Sequence, residues 1–201
     1  MIKAILFDLD GLLVDTETLG IKSIEKTLEN IGIKLTKEEL NGHIGITSRK
    51  FCEEILKKKG IDKNIDTILQ KHFRLYESLL KTDIKRFVGA TSIPKKLKKK
   101  GFKLALVSGS TRIQIEIVLN KLKLNNLFEL IIASEDVKNS KPNPEPYLLA
   151  LKKLNLKNKE GIAIEDSEAG VISARKAGIK VIGVMNNGGQ NLSLANKIVK
   201  S

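Results

Sequence analysis

Lys3-Ala4-Ile5-Leu6-Phe7-Asp8-Leu9-Asp10-Gly11-Leu12-Leu13-Val14-Asp15 is the stretch on which the fold turns. Ala4 to Phe7 is an unbroken apolar run, and it stops at two aspartates separated by one leucine and followed by glycine. Such a run reads as a strand buried on both faces. In an open parallel sheet, ligands bind just beyond the carboxyl ends of the strands, so Asp8 and Asp10 fall at the floor of a site. Two carboxylates that close repel, and each carries a desolvation cost. A divalent cation held by oxygen ligands would offset both. Gly11 lets the chain turn away with no side chain in the path of a ligand. Taken alone, the same residues also spell a strand followed by an ordinary acidic turn.

Beyond this stretch the pattern is helical. Leu19, Ile24, Leu28 and Ile31 recur at helical spacing between Thr16 and Ile31, and Gly32 ends the run. Thr36-Lys37-Glu38-Glu39 has the form of a capping box opening a second helix. Ser48 to Lys59 is a third, with Phe51, Cys52, Ile55 and Leu56 on one face. Ile65 to Leu80 is a fourth, with Ile68, Leu69, Phe73, Tyr76 and Leu80 in register. No strand is expected from Asp15 to about Phe87. After that, strands at 103–107, 130–133, 161–164 and 181–184 alternate with helices at 92–100, 111–122, 144–154 and 168–177. This alternation marks a parallel sheet covered on both faces. The tail from Asn186, with Gly188-Gly189, reads as a loop and a final edge strand. The expected fold is therefore α/β, a doubly wound parallel sheet formed by residues 1–14 and 88–201, with a helical domain at 15–87 inserted after the first strand.

The 201 residues are 41% hydrophobic and 29% charged, which is globular composition and argues against disorder. No apolar run approaches ~20 residues, so no transmembrane helix is expected, and the N-terminus lacks a secretory pattern. Cys52, the single cysteine, cannot form an internal disulfide, which fits a reducing cytoplasm. Its helical setting points to a small core residue. The formal net charge of +13 raises nucleic acid as a partner. Against this, the lysines are spread over most helices, and aromatics for stacking make up only 4%. The densest run, Lys95 to Lys100, stands before Gly101 at a helix end, where lysines suit the dipole and solvent.

Each core strand should end on the same edge, and polar residues come after every one of them. Beyond Val107 lie Ser108-Gly109-Ser110-Thr111 and a helix. A hydroxyl, a glycine and free amides at a helix start suit phosphate, although Ser and Thr also cap helices routinely. After the next strand comes Lys141, where Pro142 and Pro144 pre-set the backbone. This lysine can reach a phosphate oxygen or steady a carboxylate; a surface lysine in a turn is the plainer reading. After Ile164 come Glu165-Asp166, a second pair of acids at the same edge. Asp8, Asp10, Glu165 and Asp166 together make an oxygen-rich site suited to Mg²⁺, and no His or Cys cluster points to zinc.

In this order the motifs resemble the haloacid dehalogenase-like hydrolases, in the phosphatase and phosphomutase branch with a helical cap after the first strand. The resemblance covers nearly the whole chain. It implies a Rossmann-like core, Asp8 as nucleophile forming an aspartyl-phosphate, and Asp10 as acid and then base. It implies Mg²⁺ held by Asp8, the Asp10 carbonyl and Asp166, with Glu165 also near the metal. Ser108, the Gly109 amide and Lys141 would bind the phosphoryl oxygens.

In the cap, Gly45-Ile46-Thr47-Ser48-Arg49 resembles the family's substrate loop, making Arg49 a second anion ligand, with a solvent-facing arginine as the alternative. The β-phosphoglucomutases carry a histidine on the first cap helix where this chain has Gly20, and His43 and His72 lie elsewhere. The expectation is therefore a cytoplasmic, monomeric phosphatase of a small phosphorylated metabolite, a sugar phosphate, with no nucleic acid or membrane partner. A phosphomutase and a phosphoglycolate phosphatase are the alternatives within the branch. Outside it, the alternative is a basic nucleic-acid-binding protein on an inactive fold. Four clustered acids argue against that, because their repulsion destabilises a site that no longer uses them.

Overall fold

The computed structural model describes residues 1–43, 46–186 and 189–200, with side chains for all of these but Asn41. The chain divides into two compact units, residues 1–15 with 85–201 and residues 16–84. The larger unit opens with β1 (Ala4–Phe7) and β2 (Val14–Asp15). The smaller holds α1 (Glu17–Glu29), α2 (Lys37–Asn41), α3 (Ser48–Lys59) and α4 (Ile65–Thr82). The larger resumes with β3 (Lys85–Arg86), α5 (Ser92–Lys99), β4 (Lys103–Val107), α6 (Arg112–Leu122) and β5 (Leu130–Ile132). It ends with α7 (Glu145–Leu154), β6 (Gly161–Glu165), α8 (Glu168–Lys176), β7 (Lys180–Met185) and β8 (Lys197–Lys200).

Six strands make one parallel sheet in the order β5-β4-β1-β6-β7-β8. The chain leaves β1 for β4 and β5 on one side, then crosses back to β6 on the other. The strand order thus reverses at β1, which is where open α/β sheets place their ligands. Alternation along β1 serves both faces. Ala4 and Leu6 join Tyr147 and Leu151 of α7 and Val171 and Ala174 of α8 in one core. Phe7 turns the other way and meets Phe128 edge-on, with ring centroids 6.0 Å apart.

The smaller unit has its own core, built from Ile24 and Leu28 of α1, Phe51, Cys52 and Ile55 of α3, and Ile68 and Leu69 of α4. Cys52 is a core residue, and burial pushes its thiol up to about 11. Thr36 and Glu39 form the expected capping box.

Two expectations are corrected. The stretch from Asp15 to Phe87 is not free of strands: Val14–Asp15 pairs antiparallel with Lys85–Arg86. Strands of two residues carry no periodicity to read. On α4, Phe73 is 42% exposed while its neighbour His72 is buried. Both positions fit a helical stripe; His72 takes the inner one because Ser23 Oγ and Ser48 Oγ meet its two ring nitrogens at 2.7 and 3.1 Å. The Lys95–Lys100 run is a mostly exposed helix end, with Lys98 paired to Glu129. The expected edge strand is β8; Gly188 lies outside the described residues. Among the described residues, no helix is long and apolar enough to cross a membrane.

Candidate active site

In the sheet register Phe7 lies opposite both Leu106 and Ile164. The next residue on each strand therefore brings Asp8, Val107 and Glu165 side by side. Lys141 reaches this row from the loop after β5. Its Nζ donates to Asp8 Oδ1 at 2.6 Å, Glu165 Oε1 at 2.7 Å and the Val107 carbonyl at 2.8 Å. An ammonium has three donors, and all are used. The Tyr147 hydroxyl, fully buried on α7, also donates to Glu165 Oε1, and Lys141 Nζ lies 5.4 Å from that ring's centroid. Burial alone would lower the lysine's pKa, but the charges of Asp8 and Glu165 outweigh it and hold the ammonium charged.

Asp10 is held separately. The hydroxyls of Ser108 and Ser110 donate to its Oδ2 at 2.7 and 2.9 Å. Asp166 accepts from Asn186 Nδ2 at 2.9 Å through Oδ2. Its Oδ1 is a buried side-chain atom with no hydrogen-bond partner among the described residues. Asp8, Glu165 and Asp166 each offer an oxygen, and these lie within 4.8 Å of one another. Burial raises the Asp8 carboxyl well above its usual range, with Lys141 opposing and Glu165, Asp166 and Asp10 adding to the rise. Burial and then Glu165 push Asp166 up to about 7, against Lys141 and Asn186. An orphaned buried oxygen, an all-oxygen donor set and carboxylates that resist ionising together fit a hard divalent cation.

Three of the amides expected to be free at the start of α6 are spent within the protein: Thr111 N donates to Gln114 Oε1, Arg112 N to the Glu135 carboxylate, and Gln114 N to Thr111 Oγ1. Ser110 N donates to Ser108 Oγ. Gly109 remains, exposed and with open space about it. The structure thus gathers Asp8, Asp10, Ser108, Lys141, Glu165 and Asp166 at one edge.

In the smaller unit, Arg49 stands in the first turn of α3. It pairs with Asp66 and, at 3.9 Å, with Glu53; Gly45 of the same motif lies outside the described residues. The His43 ring comes within 3.9 Å of where a β-carbon on Gly20 would sit. Tyr147, Ser110 and Asn186 escaped the sequence reading. Each acts through a partner far away along the chain, and no local pattern announces that.

The model of the haloacid dehalogenase-like hydrolases matches residues 5–184. The chain belongs to that family. Within it the relatives place the chain in the phosphatase branch. It is 29% identical over 190 residues to a phosphorylated carbohydrates phosphatase of Thermotoga maritima, covering 92% of this chain and 86% of the relative. It is 32% identical over 184 residues to a pyrophosphatase of Anoxybacillus flavithermus, covering 91% and 83%. The crystal structure of a β-phosphoglucomutase from Clostridium difficile superposes with a TM-score of 0.81 at 30% identity, covering all of this chain and 92% of that one. This haloacid dehalogenase-like hydrolase shares its parallel sheet and flanking helices with that structure.

Proposed function

We propose that the protein is a Mg²⁺-dependent phosphatase of a small phosphorylated metabolite, a sugar phosphate, acting through an aspartyl-phosphate on Asp8. The observation that carries this reading is the asymmetry at Asp8: Lys141 holds Oδ1, while no described residue donates to Oδ2. Oδ2 is the attacking atom. As its bond to phosphorus forms, the bond from phosphorus to the leaving oxygen breaks, and Asp10 gives that oxygen a proton. Water then attacks phosphorus and loses a proton to Asp10 while the bond from phosphorus to Asp8 Oδ2 breaks, which releases phosphate and restores both acids. The Ser110 hydroxyl keeps the Asp10 carboxyl aimed through both steps, which frees the Ser108 hydroxyl to turn to a phosphoryl oxygen.

Ser108, the Gly109 amide and Lys141 bind the phosphoryl oxygens, Lys141 by exchanging the Val107 carbonyl for one of them, so positive charge and donors stand where negative charge spreads. Glu165, with Oε1 occupied by Lys141 and Tyr147, serves to fix Lys141. Asp8, Asp166 and the Asp10 carbonyl would hold Mg²⁺, which supplies positive charge to offset the acids and the phosphoryl oxygens. Residues 15–87 serve as the cap that excludes water during transfer, and Arg49 grips the part of the substrate that does not react. Its partner Asp66 is 73% exposed, and a pair in water is held weakly enough to exchange for a substrate anion. The sugar-phosphate reading draws on the Thermotoga relative's name.

A phosphomutase is the second reading, favoured by the place of His43. The His43 imidazole lies beside Gly20, the position at which the mutases carry their histidine in an ungapped reading. β-Glucose 1-phosphate with a trace of the bisphosphate separates the two: phosphate release faster than isomerisation is expected, and isomerisation in excess supports the mutase. For the main reading, phosphorylated metabolites are screened with Mg²⁺ for phosphate release. Asp8→Asn should fall to background. Asp10→Asn should lose least on aryl or acyl phosphates, whose leaving groups need little protonation. Beryllium fluoride bound on Asp10 rather than Asp8, or near-normal turnover by Asp8→Asn, would end the proposal.

A further inference from the structure

The segment after β7 contributes one side chain to the site. Glu165 lies opposite Gly183 in the register of β6 and β7, so Asn186 comes just past the row of strand ends. Its amide has two N–H groups. One donates to the Gly11 carbonyl, on the turn after β1, at 2.9 Å, and the other to Asp166 Oδ2, also at 2.9 Å. A single carboxamide thus ties the turn after β1 to the acid after β6. On the Gly11 side the fit is close: a β-carbon there would lie 2.0 Å from the same Oδ2. The terminal torsion of an aspartate is broad and two-fold, so its two oxygens are interchangeable until something distinguishes them. Asn186 distinguishes them. It engages Oδ2 and leaves Oδ1 as the buried oxygen without a partner among the described residues.

We propose that Asn186 is a positioning residue for the divalent cation, fixing the Asp166 carboxylate so that Oδ1 is presented to the ion. The inference rests on the Mg²⁺ reading above. Hydrogen bonds of this kind behind a ligand typically govern affinity by 10–100-fold. The test needs no substrate. Mg²⁺ alone is titrated against the protein, and its dissociation constant is taken from the rise in unfolding temperature with concentration. Asn186→Ala and Asn186→Leu, the second retaining most of the volume, should each weaken Mg²⁺ by roughly tenfold or more. Their metal-free unfolding temperatures should stay near that of the wild type. Asn191→Ala is the control. Asn191 makes an amide–carboxylate bond from the same tail, to the exposed Glu168 at 3.0 Å, and its loss should leave Mg²⁺ affinity unchanged. Wild-type affinity in either Asn186 variant overturns the inference and leaves the metal reading standing. So does equal weakening in the Asn191 variant, or failure of both Asn186 variants to fold. If the wild type shows no response to Mg²⁺, the metal reading falls and the inference with it.

Discussion

One added methyl group should expose how tightly the Lys141–Glu165 clamp is packed. Gly170 is buried near the start of α8, where its amide donates to the capping hydroxyl of Ser167. A β-carbon at Gly170 would lie 2.0 Å from Glu165 Oε2, 2.1 Å from Cδ and 2.3 Å from Oε1. The carboxylate cannot step aside cheaply, because it is fully buried and its Oε1 is held by Lys141 and Tyr147. If Gly170→Ala costs one charge-assisted hydrogen bond, the loss is about 1.5–3 kcal/mol. If it separates Lys141 from Glu165, the loss is about 3–5 kcal/mol. Alanine in a helix returns up to about 1 kcal/mol. The net destabilisation should therefore fall between about 0.5 and 5 kcal/mol, and phosphate release should drop because Lys141 loses its anchor. Gly20→Ala is the matched comparison. Its β-carbon meets only His43 Cε1, at 3.9 Å, so it should be neutral or stabilise by up to about 1 kcal/mol. Urea unfolding followed by circular dichroism, with turnover measured on the same samples, gives both numbers. A Gly170→Ala protein as stable and active as the wild type would mean that Glu165 has room to move, and the rigid clamp would be refuted.

The same geometry sets three further outcomes. Arg49→Ala should impair sugar phosphates more than a small generic phosphate ester; equal losses in kcat/KM on both would leave Arg49 a surface residue. Asp166 has its pKa raised from an ordinary value near 4 to about 7, so its contribution to stability is present at low pH and is lost as pH rises through 7. Metal-free protein should thus gain stability between pH 8 and 5, and bound Mg²⁺ should weaken over the same interval as protons compete; unfolding temperatures with and without Mg²⁺ test both. His72 is shifted the other way, down to about 4 by burial and by His43, so its contribution holds above about 6.5 and is lost as pH falls through 4, on the order of 3 kcal/mol. Measured in saturating Mg²⁺, that acid slope should vanish in His72→Asn.

The parallel sheet was legible because β1, β4 and β6 are apolar runs that end in chemistry, and a buried parallel strand has few other ways to be written. The helices of the smaller unit were legible where a stripe met a cap, as at Thr36 and Glu39. The features that stayed hidden depend on partners distant in sequence. His72 could be placed inside only by knowing that Ser23 comes to meet it from another helix. The amides at the start of α6 look free until Glu135, from the turn after β5, is seen to take one of them. Tyr147 looks like one more apolar position on α7, and its hydroxyl matters only because Glu165 ends the neighbouring strand.

The four acids are a chemical case of the same dependence. In the sequence they are two similar pairs, and composition gives no reason to rank them. Their donors do. Asp10 is held by two serine hydroxyls, and Glu165 by a lysine and a tyrosine. Asp8, Asp10 and Asp166 each have one oxygen held and the other without a described donor, whereas Glu165 also has Oε2 reached by the Ser167 hydroxyl at 3.4 Å. A held carboxylate keeps its orientation; a half-held one keeps its orientation and still has a lone pair to offer. The second state suits an atom that must attack phosphorus or meet a cation. Glu165 alone lacks it, because Ser167 takes its second oxygen; Lys141 and Asn186 reach Asp8 and Asp166 with a single donor each, and the free oxygen of Asp10 suits proton transfer. Replacing either donor should therefore change what its acid can do while leaving the acid in place.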